Sequence, residues 1–201
     1  MDASTPDSHW LRRLQTLGKA QARYLWILLV VMLFYVALHA RASSATDVKP
    51  MKVPIVDLEL STEFVLAFGP ALISFLILIV LGTARAYSRA RQKLDLLGSG
   101  DWSGEDVDTS PNAIDLAFYT TPDTLKTVVG RAIVSVVHFS YPTFLAAGLL
   151  EAAWLSKSLV QDCAPGRLVA VAVAVPLWIV AAYHLLGLVR HRIADVPKFW
   201  R

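Results

Sequence analysis

Apolar residues run almost without interruption through 24–40, 64–83, 132–155 and 168–189, and no Lys or Arg falls inside any of these runs. A helix needs about 20 residues to cross a hydrocarbon core about 30 Å thick. Each run approaches or reaches that length, and no soluble fold of 201 residues needs four of them. The pattern predicts an all-α integral membrane protein, a four-transmembrane-helix bundle forming a single membrane domain over 1–201. Between the spans it places an N-terminal segment at 1–23, loops at 41–63, 84–131 and 156–167, and a tail at 190–201.

Composition agrees, with 55% hydrophobic and 17% charged residues, against about 25% charged in ordinary soluble domains. Charge then sets orientation, because Lys and Arg accumulate on the cytoplasmic side of a membrane. Of the 19 basic residues, 14 lie at 1–23, 84–131 and 190–201, and only Arg41, Lys49, Lys52, Lys157 and Arg167 lie elsewhere. Both termini and the 84–131 segment are therefore expected in the cytoplasm, and 41–63 and 156–167 outside. A signal peptide cleaved near Ala40-Arg41-Ala42 is the alternative. The long basic leader and the bulk of Tyr24–Leu38, at or beyond the ~7–15 residues of a signal core, weigh against it. Cys163 is the only cysteine, so an intramolecular disulfide is excluded.

Before the first span, Ser8 suits a helix cap, and Trp10, Leu14 and Leu17 share a face opposite Arg12, Lys19 and Arg23. This predicts an N-terminal interfacial helix; an extension of the first span that merely sets orientation is the competing reading. Arg12, Arg13, Lys19, Arg23, Arg85, Arg89 and Lys93 form a basic set suited to anionic lipid headgroups. Nucleic acid is not expected, since the set adjoins the membrane and lacks stacking aromatics beyond Tyr87. Past the first span, Lys52–Leu60 alternates with period two and predicts a short extended external segment, with Pro54, Val56, Leu58 and Leu60 on the buried face.

The run Val53-Pro54-Ile55-Val56-Asp57-Leu58-Glu59-Leu60, followed by Phe64, Pro70 and an apolar span ending in Arg and Tyr, resembles a segment of uncharacterised bacterial multi-pass membrane proteins. The likeness covers about residues 53–87 and departs at Ser61, where a second proline would be expected. It implies a bacterial membrane protein, in the inner membrane, and no particular activity.

The second span carries Gly69-Pro70 and is expected to continue through Arg85, Arg89 and Lys93 until Gly98-Ser99-Gly100 ends it. In the acidic loop that follows, Ser110-Pro111 and Thr121-Pro122 predict a short helix at 111–119 and a second helix start at 122 running into the third span. A calcium loop counted from Asp101 fails because Asp106 stands where glycine is required.

Polar side chains within spans are the remaining candidates. His138 lies seven residues past Arg131 and His184 six before Arg190, so at 1.5 Å rise per residue both sit roughly 10 Å inside the cytoplasmic boundary. With Tyr141 and Tyr183 as partners they could relay a proton, or simply hydrogen-bond the third and fourth spans together. Glu151 sits near the outer end of the third span, as an ion- or proton-binding carboxylate or as a partner for Lys157 or Arg167. Gly148 and Ala152 mark a close helix contact, within the chain or between copies. Trp26, Trp154 and Trp200 suit interface anchoring and Trp178 core packing.

No P-loop, dinucleotide fingerprint, zinc motif or nucleophile elbow occurs, so no cofactor, metal or enzymatic activity is expected. The sequence thus points to a small non-enzymatic membrane component that oligomerises or docks a membrane or cytoplasmic partner. The alternative is a small transporter or channel lined by His138, His184 and Glu151, with Pro70, Pro142 and Pro176 marking helix breaks along the path. The orientation is checked by labelling Cys163 in intact cells. An impermeant thiol reagent should modify it from outside, and labelling only after permeabilisation would invert the topology.

Overall fold

The computed structural model describes residues 6–44, 51–52, 59–60, 62–97, 127–161 and 165–200. Apart from Thr127 and two paired dipeptides, every described residue is helical. Helix α1 spans Pro6–Ser44, α2 Thr62–Leu97, α3 Val128–Gln161 and α4 Pro165–Trp200. All four are long and apolar enough to cross a membrane, which by length and composition marks an integral membrane protein. At 34 to 39 residues each, they extend roughly 50–58 Å, well past the ~30 Å hydrocarbon core.

Several expectations change in detail. Helix α1 is continuous from Pro6, so the N-terminal stretch is its first turns and not a separate helix. At the two ends of the expected extended segment, strands β1, Met51–Lys52, and β2, Glu59–Leu60, pair antiparallel with Met51 opposite Leu60 and Lys52 opposite Glu59. The paired ends share backbone hydrogen bonds that a lone strand would leave unmade; residues 53–58 lie outside the described set. Helix α2 ends at Leu97, directly before Gly98.

A helix from 122 does not run unbroken into the third span. Thr127 is a bend residue, and α3 begins at Val128. The Thr127 hydroxyl accepts from the Gly130 amide at 3.0 Å, the geometry of a helix cap. The expected helix at 111–119, the acidic loop and Cys163 fall outside the described residues. Pro70, Pro142 and Pro176 do not break their helices, which remain helical through all three positions.

The chain divides into two compact units, each built from parts of the same long helices. The first comprises Met1–Leu25, Ile79–Thr143 and Leu186–Arg201. In its core Leu14 packs with Tyr87 and Ala90, and Trp10 and Leu17 border them, so the apolar face of early α1 is turned onto α2. The second comprises Trp26–Leu78 and Phe144–Leu185. There the Tyr35 hydroxyl of α1 donates to the Val65 carbonyl of α2 at 3.1 Å. A Cβ added at Gly69 would stand 2.7 Å from the Tyr35 ring. Gly148 of α3 faces Ile77 and Met32, where an added Cβ would lie 3.1 and 3.3 Å away. Trp178 of α4 donates its indole N–H to the Leu149 carbonyl of α3 at 2.9 Å.

Buried positions recur in sevens. On α1 they include Leu14, Gln21, Leu28 and Tyr35; on α3 they include Tyr141, Leu145, Gly148, Ala152, Leu155 and Leu159, with Pro142 and Leu149 buried beside them. A 3.5-residue repeat is the seam of left-handed helix packing, where side chains of one helix enter gaps in the next. Helix α2 is enclosed over more than half of its span, whereas α1 and α4 are each enclosed over less than a fifth.

Gly69→Ala should destabilise by about 1–3 kcal/mol, the usual effect of overfilling a packed site. Trimming the ring in the same chain with Tyr35→Ala should recover much of that loss, read as non-additivity in unfolding titrations of the two single variants and the double. Gly148→Ala should cost less, since the atoms it meets are the ends of flexible side chains.

Candidate functional site

The polar residues expected to line one path fall in different surroundings. Tyr183 is 72% exposed, pointing away from the protein, and stacks edge-on against His184 with ring centroids 5.4 Å apart. His184 is half-buried. Helix α4 is rotated so that Ala174, Ala181 and Leu185 face inward, which turns the Tyr183 side chain outward. His138 lies on α3, with its side chain outside the described set.

Tyr141 is buried in the first unit. Its hydroxyl accepts a long hydrogen bond, 3.5 Å, from the Gln21 amide nitrogen of α1. Gln21 is 2% exposed, and its Oε1 has no hydrogen-bond partner among the described residues. Sequence reading missed this residue because it stands among Lys19 and Arg23 and looks like part of a solvated face. The spacing of seven from Leu14 and again to Leu28 is the signal that could have found it.

Glu151 lies in the second unit, half-buried, with Oε1 enclosed and without a partner among the described residues. One turn on, Trp154 meets His39 of α1 at a centroid separation of 4.1 Å. Ser74 of α2 is fully buried, and its hydroxyl likewise has no described partner. It follows Pro70 by four residues, on a helix where the proline removes the amide that would have served the Leu66 carbonyl. The second unit therefore holds two enclosed oxygens without described partners, one on α2 and one on α3.

Gly148 and Ala152 are both buried, and Gly148 packs against Ile77, Met32 and Ile73. Trp178 does more than fill space, since its indole bonds α4 to α3; an indole N–H in hydrocarbon needs such a partner. Trp26 is 67% exposed and Trp154 47%. Arg12, Arg13, Lys19, Arg23, Arg85, Arg89 and Lys93 are all exposed, and the Arg13 guanidinium lies 5.3 Å from the centre of the Trp10 ring. Among the described residues no group of three or more His, Cys, Asp or Glu side chains converges as a metal site would require.

Two substitutions separate structural polar contacts from costly ones. Trp178→Phe should lower stability by roughly 0.6–1.7 kcal/mol, the span for hydrogen bonds between membrane helices. Glu151→Leu should leave stability unchanged or raise it, because an enclosed oxygen without a partner costs about 1–3 kcal/mol. Unfolding curves of both variants in one detergent check the opposite signs. No family model, curated protein or solved structure matches this chain.

Proposed function

We propose that the protein is a small non-enzymatic component of a bacterial inner membrane, held at the cytoplasmic surface by anionic lipid headgroups and acting as an oligomer or a docking point for a membrane or cytoplasmic partner. The observation that supports this reading is the exposure of Arg12, Arg13, Lys19, Arg23, Arg89, Lys93 and Arg190, contributed by three helices to one compact unit. Each such residue near an anionic surface contributes about 1 kcal/mol of attraction. The helices also outrun the hydrocarbon core, so these residues have room to stand at headgroup level. A continuous α1 fits a cytoplasmic extension of the first span.

A second reading, a small transporter or channel for protons or ions, is favoured by Glu151, whose enclosed Oε1 lacks a described partner. Intramembrane ionisable groups are costly and are commonly kept for such work.

Two measurements on one preparation divide these readings. Unfolding temperature in nanodiscs should rise with anionic over zwitterionic lipid, and an Arg12→Glu/Arg13→Glu/Arg89→Glu/Lys93→Glu variant should lose that rise. Equal stability in both lipids would defeat the headgroup reading. Proton and cation flux in proteoliposomes should be absent; flux that disappears in Glu151→Gln, or in a His138→Ala/His184→Ala double variant, would establish the transporter instead.

A further inference from the structure

Gln21 and Tyr141 face each other across α1 and α3 in the first unit, 2% and 6% exposed. Between them they carry more hydrogen-bonding capacity than their single contact uses. With the amide as placed, the Tyr141 oxygen accepts from Nε2, which leaves the phenolic hydrogen to find another acceptor and Gln21 Oε1 without a donor. Turning the amide over lets the phenol donate to Oε1 and leaves the two N–H groups of Nε2 to find acceptors elsewhere. Neither orientation satisfies the pair by itself. An amide group buried without its hydrogen bonds is disfavoured, and more so in the surroundings of a membrane protein.

The 3.5 Å separation points the same way. It sits at the outer limit of a hydrogen bond, where a direct contact contributes little. One small molecule that both donates and accepts would complete the set, accepting from the Tyr141 hydroxyl and donating to Gln21 Oε1. A metal cation cannot donate to Gln21 Oε1.

We propose that Gln21 and Tyr141 form a buried site for a single water molecule that bridges α1 and α3. The site is independent of the proposed function. Buried waters typically make about three hydrogen bonds to groups otherwise unpaired, and the described residues offer the phenolic hydrogen and the amide oxygen for two of them.

Tyr35 supplies an internal control. It is equally buried, 3% exposed, but its hydroxyl donates directly to the Val65 carbonyl and it needs no water. X-ray radiolytic footprinting generates hydroxyl radicals from waters in place, so a buried tyrosine is oxidised when a bound water adjoins it. In the native protein Tyr141 should be oxidised several times faster than Tyr35, with slow incorporation of isotope when labelled water is mixed in shortly before exposure. In Gln21→Leu, shown folded by its elution and helix content, oxidation of Tyr141 should fall to the Tyr35 level. Tyr141 as inert as Tyr35 in the native protein would overturn the proposal without any variant being needed. Oxidation of Tyr141 that persists unchanged in folded Gln21→Leu would overturn it too, since the water would then not be held by the amide.

Discussion

The close approach of α1 and α2 at Tyr35 and Gly69 is the contact on which the second unit depends. With apolar lipid on the outside, burying a hydrophobic side chain between helices gains little over leaving it in the bilayer, so close packing and interhelical hydrogen bonds must hold the helices together. The Tyr35 ring occupies the space where any other residue at 69 would put its Cβ, and its hydroxyl reaches the Val65 carbonyl one turn away. Gly148 extends the principle to α3, admitting the ends of Met32 and Ile77. Trp178 then fastens α4 by a single directed bond to the Leu149 carbonyl. Small residues set how near the backbones come, and aromatic hydrogen bonds fix the rotation of each helix.

The first unit uses different means. One part of its apolar core sets Leu14 against Tyr87 and Ala90, and Val80 and Leu81 are buried in the same unit. Its polar content is high, with a buried amide, a buried phenol and a surrounding set of exposed cations. A single amide in an otherwise apolar seam is a device that fixes register in coiled coils at some cost in stability, and Gln21 between Leu14 and Leu28 has that position.

The four spans were legible because uninterrupted apolar length is a one-dimensional signal. So was the end of α2 at Leu97, since Gly98 is the next residue. Gly148 and Ala152 could be read as a close contact because only small residues allow one. Contacts that depend on a partner far along the chain were not legible. Nothing local to Gly69 announces Tyr35, and Gly69-Pro70 reads as a kink. The rotation of α4 was hidden for another reason. A helix apolar on all sides has no face that its sequence favours, so Tyr183 and His184 could be placed at a depth but not in a direction. The start of α3 was misplaced because Thr121-Pro122 presents the stronger cap signal, whereas Thr127 caps without a proline.

The seven-residue spacing along α1 has a consequence for how its length can vary. Leu28 and Tyr35 are both buried in the second unit, seven positions apart on one unbroken helix, and Tyr35 meets Gly69. One residue inserted between them would swing Tyr35 about 100° around the axis, off Gly69, while Leu28 stayed in place. Three or four inserted residues leave a misfit of about 60° or 40°, and seven leave only about 20° but carry Tyr35 about 10 Å along the axis, past Gly69. No insertion in this stretch therefore keeps both contacts unless the facing helix lengthens with it, although residues 29–34 between the two anchors are all apolar.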